Sequence, residues 1–231
     1  MTRSFKEIGK STGTDKVNRH GYHRFYPIFL EKLRGLPITM LEIGTDKNRS
    51  LKLWEEYFPL ARIYGIDIGN GFELERGEVF KGDQSDDVFL GDVIKKIGTK
   101  ADLIIDDGSH KPEHQLSTFV RLFEDLLKDG GIYIIEDIET NYWRKGVCYE
   151  NVIEKGYKHK GSIIEIFKDM IDKVNKEFVK DRSVFDASLI PAEVQDKIGL
   201  ISFQHNSLII IKKDEEDKQF ENRRYRLSSY L

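Results

Sequence analysis

Apolar residues gather in short continuous runs separated by amphipathic stretches. The runs "ITMLEIG" from 38, "ARIYGIDI" from 61, "EVFKGD" from 78, "ADLIIDD" from 101 and "GGIYIIED" from 130 have strand length. They lack strict polar alternation, which predicts strands covered on both faces. Between them, Leu51, Leu53, Trp54, Tyr57 and Phe58, and then Phe119, Leu122, Phe123, Leu126 and Leu127, recur at helical spacing. Strand alternating with helix predicts right-handed βαβ units in a parallel sheet. Near the end, "IGLISFQHNSLIIIKK" reads as two strands joined through Gln204, His205 and Asn206, a hairpin that adds an antiparallel strand. The expected fold is α/β, a doubly wound seven-stranded sheet, mostly parallel, with an antiparallel C-terminal hairpin strand.

Length places all of this in one domain, because 231 residues bury most of their apolar surface without staples. Within it, residues 1–36 form an N-terminal segment, 138–197 an insert between core elements and 198–212 the terminal hairpin. The insert begins with the aromatic, basic stretch "IETNYWRKGVCYENVIEKGYKHKGS" and continues as the amphipathic "IIEIFKDMIDKVNKEFV", which reads as a substrate cap. The tail "DEEDKQFENRRYRLSSYL" is charged and reads equally as a last helix or a disordered end.

Composition narrows the partners. Net charge is -3 with both signs abundant, which describes a solvated surface and neither a nucleic-acid footprint nor a polybasic membrane patch. The expected partner is a small molecule, with no nucleic acid and no membrane. Cys148 is the one cysteine, so there is no intramolecular disulfide and any metal must sit on Asp, Glu and His. "MTRSFKEIGK" has no apolar leader, and no run reaches bilayer length. A cytoplasmic location is expected.

The chemistry lies at the strand ends. Ligands of such a sheet bind outside the carboxyl ends of its strands, and every end carries an acid: Glu42, Asp67, Asp83, Asp106 with Asp107, and Glu136 with Asp137. The first turn, "LEIGTDKNRSLKLW", has only Gly44 where a pyrophosphate would need three glycines. Gly44 still permits close backbone approach, and Asp67 is placed to bond two ribose hydroxyls. A nucleoside carrying a cation fits, and S-adenosylmethionine has that chemistry. Glu42 alone reads equally as a cap of the next helix, and the lesser reading of Asp67 is a turn or cap residue.

Asp106 and Asp107 face opposite ways while the strand continues, so Asp107 leads the loop. Adjacent parallel strands bring Asp107, Glu136 and Asp137 side by side, and three carboxylates so close repel unless a cation lies among them. Oxygen ligands suit Mg²⁺. A bound divalent ion assists ionisation of a sugar hydroxyl, and His110, three residues beyond Asp107, is the best placed base. His114 reads as a surface or helix-packing histidine, Glu139 as a solvated loop carboxylate.

The set "GTDK" with His20, Tyr22 and Tyr26, then "LEIG", "SLKLWEEYFPLARIYGIDI", "GDQSD", "IIDDGSH" and "IIEDIETNYW" resembles the metal-dependent sugar O-methyltransferases of the mycinamicin and demethylmacrocin type. The likeness runs over about residues 9 to 143. It implies a Rossmann-like fold and an enzyme using S-adenosylmethionine and Mg²⁺ (or Mn²⁺) to methylate a hydroxyl of a deoxysugar such as rhamnose in a glycan or glycosylated natural product. It implies Asp107, Glu136 and Asp137 as metal ligands and His110, with Asp107, as the catalytic pair. Glu42, Gly44, Asp67, Asp83, Gln84 and Asp106 match cofactor contacts, joined by Thr14, Lys16, Tyr22 and Tyr26 from a segment expected to cover the cofactor. The expected partner becomes a carbohydrate or glycosylated small-molecule acceptor, with assembly as a homo-oligomer or within a larger glycosyltransferase-methyltransferase chain. Asp46, Lys47 and Asn48 depart from the glycines usual after the first strand. The residues alone leave open a small-phenol methyltransferase, a metallohydrolase and a non-catalytic glycan-binding domain.

Overall fold

The computed structural model describes residues 2–69, 71–143, 146–148, 151–176, 179 and 187–217. Ten strands are described: β1 Thr39–Ile43, β2 Arg62–Asp67, β3 Phe72–Leu74, β4 Gly77–Lys81, β5 Ala101–Asp106, β6 Leu127–Glu136, β7 Gly146–Cys148, β8 Asn151–Ile153, β9 Ile198–Gln204 and β10 Ser207–Lys212. Eight of them make one sheet in the order β3-β4-β2-β1-β5-β6-β10-β9, while β7 and β8 pair separately. Strands β4, β2, β1, β5 and β6 run parallel, β10 joins β6 antiparallel, and β9 returns beside β10. These are the seven strands expected from the apolar runs. The three-residue β3, antiparallel to β4, extends the sheet at one edge and is too short and mixed to register as an apolar run.

Helices α1 Phe5–Thr12, α2 Asp15–Asn18, α3 Tyr26–Leu30, α4 Arg49–Tyr57, α5 Asp87–Ile97, α6 Pro112–Asp125, α7 Ile163–Val174 and α8 Ala192–Gln195 surround the sheet. Alternation along the strands divides the core. Leu41, Ile43, Ile104, Tyr133 and Ile135 face α5, α6 and α7, whereas Met40, Leu103, Ile105, Ile132 and Ile134 face α1, α4 and the N-terminal aromatics. Both faces are covered, as the uninterrupted runs required.

The N-terminal segment is built into this second core. Ser4 and Glu7 form a capping box on α1, and Phe5 meets Tyr26, Trp54 and Tyr57 with ring centroids 5.0–5.8 Å apart. The segment is therefore a fixed part of the fold.

Within the expected insert, α7 buries Ile163, Phe167 and Met170 in the core shared with α6. Its amphipathic pattern seats it in the helical layer of the sheet. Residues 144–145, 149–150, 177–178 and 180–186 of the insert, and 218–231 of the charged tail, lie outside the described residues. Among the described residues no helix is long and apolar enough to cross a membrane.

Candidate active site

Strand register sets out the site. Ile66, Ile43, Asp106 and Ile135 lie in one row across β2, β1, β5 and β6. The next positions, Asp67, Gly44, Asp107 and Glu136, therefore form a row at the carboxyl edge. Above it opens a cleft of about 600 Å³, within the range of small-molecule sites.

The turn after β1 is held by Asp67. Its Oδ2 accepts from the backbone N–H of Thr45 and of Asp46, both at 2.9 Å, and its Oδ1 accepts from Gly69 N at 2.7 Å. Gly44 has φ 82°, and a Cβ there would come 2.0 Å from the Asp107 carbonyl. Only glycine lets the first turn lie this close to the acidic loop. At the next strand end, Asp83 accepts from both Ser85 N and Ser85 Oγ at 2.8 Å, which holds its carboxyl below the usual range. Gln84 bridges beneath: its Nε2 donates to Asp106 and Thr118, and its Oε1 accepts from Ser109 N at 2.7 Å. Burial pushes the Asp106 carboxyl up to about 6, against the stabilising Gln84 bonds.

The acids converge around residues of the N-terminal segment. Lys16, with no exposed surface, places Nζ 2.7 Å from Asp107 Oδ2, 2.8 Å from Glu136 Oε2 and 3.2 Å from Glu42 Oε1. The three carboxylates hold its ammonium well above the usual lysine range, overcoming burial. Tyr26 donates to Glu136 Oε1 at 2.6 Å, and Tyr22 donates to Asp137 Oδ1 at 2.7 Å. His20 Nδ1 lies 3.3 Å from that same Asp137 oxygen, and Asn206 Nδ2 donates to it at 3.1 Å. Burial and the Asp107 charge push the Glu136 and Asp137 carboxyls up.

His110 and Asp137 adopt the left-handed region, at φ 56° and 51°, uncommon for residues with side chains. The His110 carbonyl accepts from Thr140 Oγ1 at 2.8 Å, which ties the acidic loop to the 3₁₀ turn Ile138–Tyr142. The result is that Asp107, His110 and Asp137 each offer a ligand atom, all within 4.8 Å of one another.

This geometry sorts the expected residues. Thr14, Gly44, Asp67, Asp83, Gln84, Asp107, His110 and Asp137 line the cleft. Lys16, Tyr22, Tyr26, Glu42, Asp106 and Glu136 do not; all six are buried, and Lys16 and Tyr22 reach the lining acids Asp107 and Asp137 from behind. Lys16, Tyr22 and Tyr26, expected to touch a cofactor, bond carboxylates in this structure. Glu42, expected to do the same, accepts from Ser50 Oγ at 2.7 Å and Trp54 Nε1 at 3.1 Å in full burial. Glu136, expected as a metal ligand, is engaged by Lys16 and Tyr26 and stands outside the converging set. His114 also lines the cleft, with Nδ1 3.0 Å from Ser109 Oγ. Arg19, Lys47, Arg49 and Lys111 also line the cleft, four cations that no run of charge in the sequence marks.

The donor set fits a hard cation. Glu42, Asp107, Glu136 and Asp137 bring four carboxylates to one place, against the single buried ammonium of Lys16. A divalent ion between Asp107 and Asp137 would offset much of the remaining repulsion, and oxygen donors suit Mg²⁺ or Mn²⁺.

No protein-family model matches the chain. Curated proteins do. The chain is 34% identical over 208 residues to a mycinamicin VI 2''-O-methyltransferase of Micromonospora griseorubida, covering 86% of this chain and 49% of that one. It is 37% identical over 149 residues to a tetracenomycin-C rhamnosyl 3'-O-methyltransferase of Streptomyces olivaceus, covering 59% of this chain and 38% of the other. Among solved structures, the MycE methyltransferase of mycinamycin biosynthesis, in complex with Mg, SAH and mycinamycin VI, superposes with a TM-score of 0.76 at 26% identity, over 93% of this chain and 56% of that chain. The chain thus spans about half, or less, of the length of the relatives it matches.

Proposed function

We propose that this chain, similar in sequence and fold to methyltransferases that modify the sugars of glycosylated natural products, is an S-adenosylmethionine- and Mg²⁺-dependent O-methyltransferase. Its acceptor is a hydroxyl of a deoxysugar such as rhamnose. The observation that carries this reading is the convergence of Asp107, His110 and Asp137 within 4.8 Å in a cleft whose far side is Asp67. Asp67 stands two strands from Asp107, about 10 Å, a separation that leaves room for a nucleoside between them.

The chain's own groups divide the work. Asp67, with oxygens directed at the turn, and Asp83 bind ribose hydroxyls, while Gly44 lets the ligand approach the backbone. Arg19, Lys47, Arg49 and Lys111 suit the carboxylate of the methionine portion. Asp107 and Asp137 would hold the divalent ion. When bound, S-adenosylmethionine supplies the methyl group and the ion supplies positive charge beside the ionising hydroxyl. His110 takes the hydroxyl proton, and its loop is held in place through the Thr140 bond to its carbonyl. The remaining need is orientation, which Lys16, Tyr22 and Tyr26 serve by fixing the carboxylates.

The test is methyl transfer to methyl and aryl α-L-rhamnosides, with Mg²⁺ and with chelator. Methylated product that disappears with chelator supports the reading. Metal-dependent turnover without S-adenosylmethionine, or absence of product from every sugar acceptor, overturns it.

A further inference from the structure

Beyond the acids, the 3₁₀ turn Ile138–Tyr142 ends in an unusual way. It starts beside Asp137 and is anchored from within: Asn141, buried, donates to Gln115 Oε1 at 3.4 Å and accepts from Ile163 N at 2.8 Å. Its last residue and the next, Tyr142 and Trp143, are nevertheless 52% and 43% exposed, and Tyr157 is 42% exposed. Single exposed apolar residues need no explanation, but these three gather. Tyr157 N donates to the Trp143 carbonyl at 2.8 Å, and the Tyr142 and Tyr157 rings lie 6.4 Å apart, inclined at 33°. Lys158 Nζ stands 5.4 Å from the Tyr157 ring centre. An aromatic strip is thus fixed by backbone bonds while about half of its surface stays exposed.

We propose that Tyr142, Trp143 and Tyr157 form an acceptor platform, receiving the ring joined to the sugar that is methylated. This rests on the methyltransferase reading and adds which part of the acceptor is read. Three observations commit the strip to that occupant. It follows the cleft along the chain, since one turn links the lining residue Asp137 to Tyr142 and Thr140 within it bonds to the His110 carbonyl. The spacing suits it: from Asp137 the five residues of the 3₁₀ turn rise about 10 Å to Tyr142, more than the width of one pyranose, so the reacting sugar lies at Asp107 and Asp137 and its neighbour at the rings. It has the right chemistry, because Tyr and Trp offer flat apolar faces at low entropic cost together with a polar edge, which suits the face of a sugar or fused ring bordered by hydroxyls.

The chain has two tryptophans, and Trp54 is fully buried and bonded to Glu42, so the part of a ligand-induced emission change that Trp143→Phe removes reports Trp143. Aryl α-L-rhamnoside is expected to alter that emission, whereas methyl α-L-rhamnoside, which stops short of the rings, leaves it unchanged. Trp143→Phe abolishes the signal. In turnover, Tyr157→Ala and Trp143→Ala raise KM for the aryl rhamnoside about tenfold, equivalent to ~1.4 kcal/mol, with kcat nearly constant. Their KM for the methyl glycoside and their affinity for S-adenosylhomocysteine stay at the wild-type values. Equal losses with both acceptors, no loss with either, or an altered oligomeric state by light scattering would overturn the platform, the last by assigning the strip to a second copy of the chain. An emission change without methyl transfer would uphold the platform and refute the catalytic reading instead.

Discussion

Lys16 Nζ lies 2.8 Å from Glu136 Oε2 with both groups out of reach of water, an ion pair that joins the N-terminal segment to the end of β6. The same ammonium reaches Asp107 and Glu42, so one lysine holds acids from three strand ends. Its removal strands those charges. Breaking a buried pair costs about 3–5 kcal/mol, and Lys16→Met is expected to lower the melting temperature by roughly 6 to 20 °C in a chain of this size. A thermal scan within about 1 °C of wild type would show the ammonium to be dispensable.

Ligand linkage gives the first test of the cleft. S-adenosylhomocysteine at a hundred times its dissociation constant adds about 2.7 kcal/mol, a rise of roughly 5 to 10 °C. Mg²⁺ should add a further increment that Asp107→Asn removes and chelator reverses. If neither ligand moves the transition, the cleft binds something else.

His110→Ala is expected to reduce kcat by about 10²–10⁴, the usual contribution of a positioned base. Affinity for S-adenosylhomocysteine should be unchanged, because the imidazole acts on the acceptor. Wild-type turnover in this variant would require another base.

Gly44→Ala tests the tight first turn. The left-handed backbone costs an L-residue about 1–2 kcal/mol, and the added Cβ meets the Asp107 carbonyl at 2.0 Å. Denaturant unfolding should show a loss above that figure, together with weakened S-adenosylhomocysteine binding as the acidic loop is pushed away.

His114 makes stability depend on pH. Burial first, then Lys111, holds its imidazole below the usual histidine range. The unfolded chain therefore takes up a proton that the folded one resists. The contribution is fully present above the ordinary histidine value, about 6.5, and is lost as pH falls through the lower folded value. Urea midpoints at pH 7.5 and 5.5 should converge in His114→Gln relative to wild type; an unaltered difference would place the pH dependence elsewhere.

Much of the fold is written locally. Runs such as "ADLIIDD" and "GGIYIIED" carry their own burial on both faces, and the parallel order follows from the helical spacing between them. Asp67, Asp107 and Asp137 were legible as residues of the cleft edge because a strand's end in a parallel sheet borders the crevice. The amphipathic period of α7 was equally plain, yet a period names a buried face and not the surface that buries it. That surface turned out to be α6 in the core layer.

What sequence alone determined was where the parallel strands end, since each is a continuous apolar run of a few neighbours closed by an acid. Only the tertiary structure decided what each carboxylate faces. Lys16 is 91 positions from Asp107 and 120 from Glu136, and no local pattern relates them. Burial of an ammonium among acids becomes favourable only when the whole fold has excluded water and brought the charges together. The same holds for Tyr22 and Tyr26, whose hydroxyls find Asp137 and Glu136 across the sheet edge. Periodicity is a property of a segment, whereas pairing of buried polar groups is a property of the closed molecule.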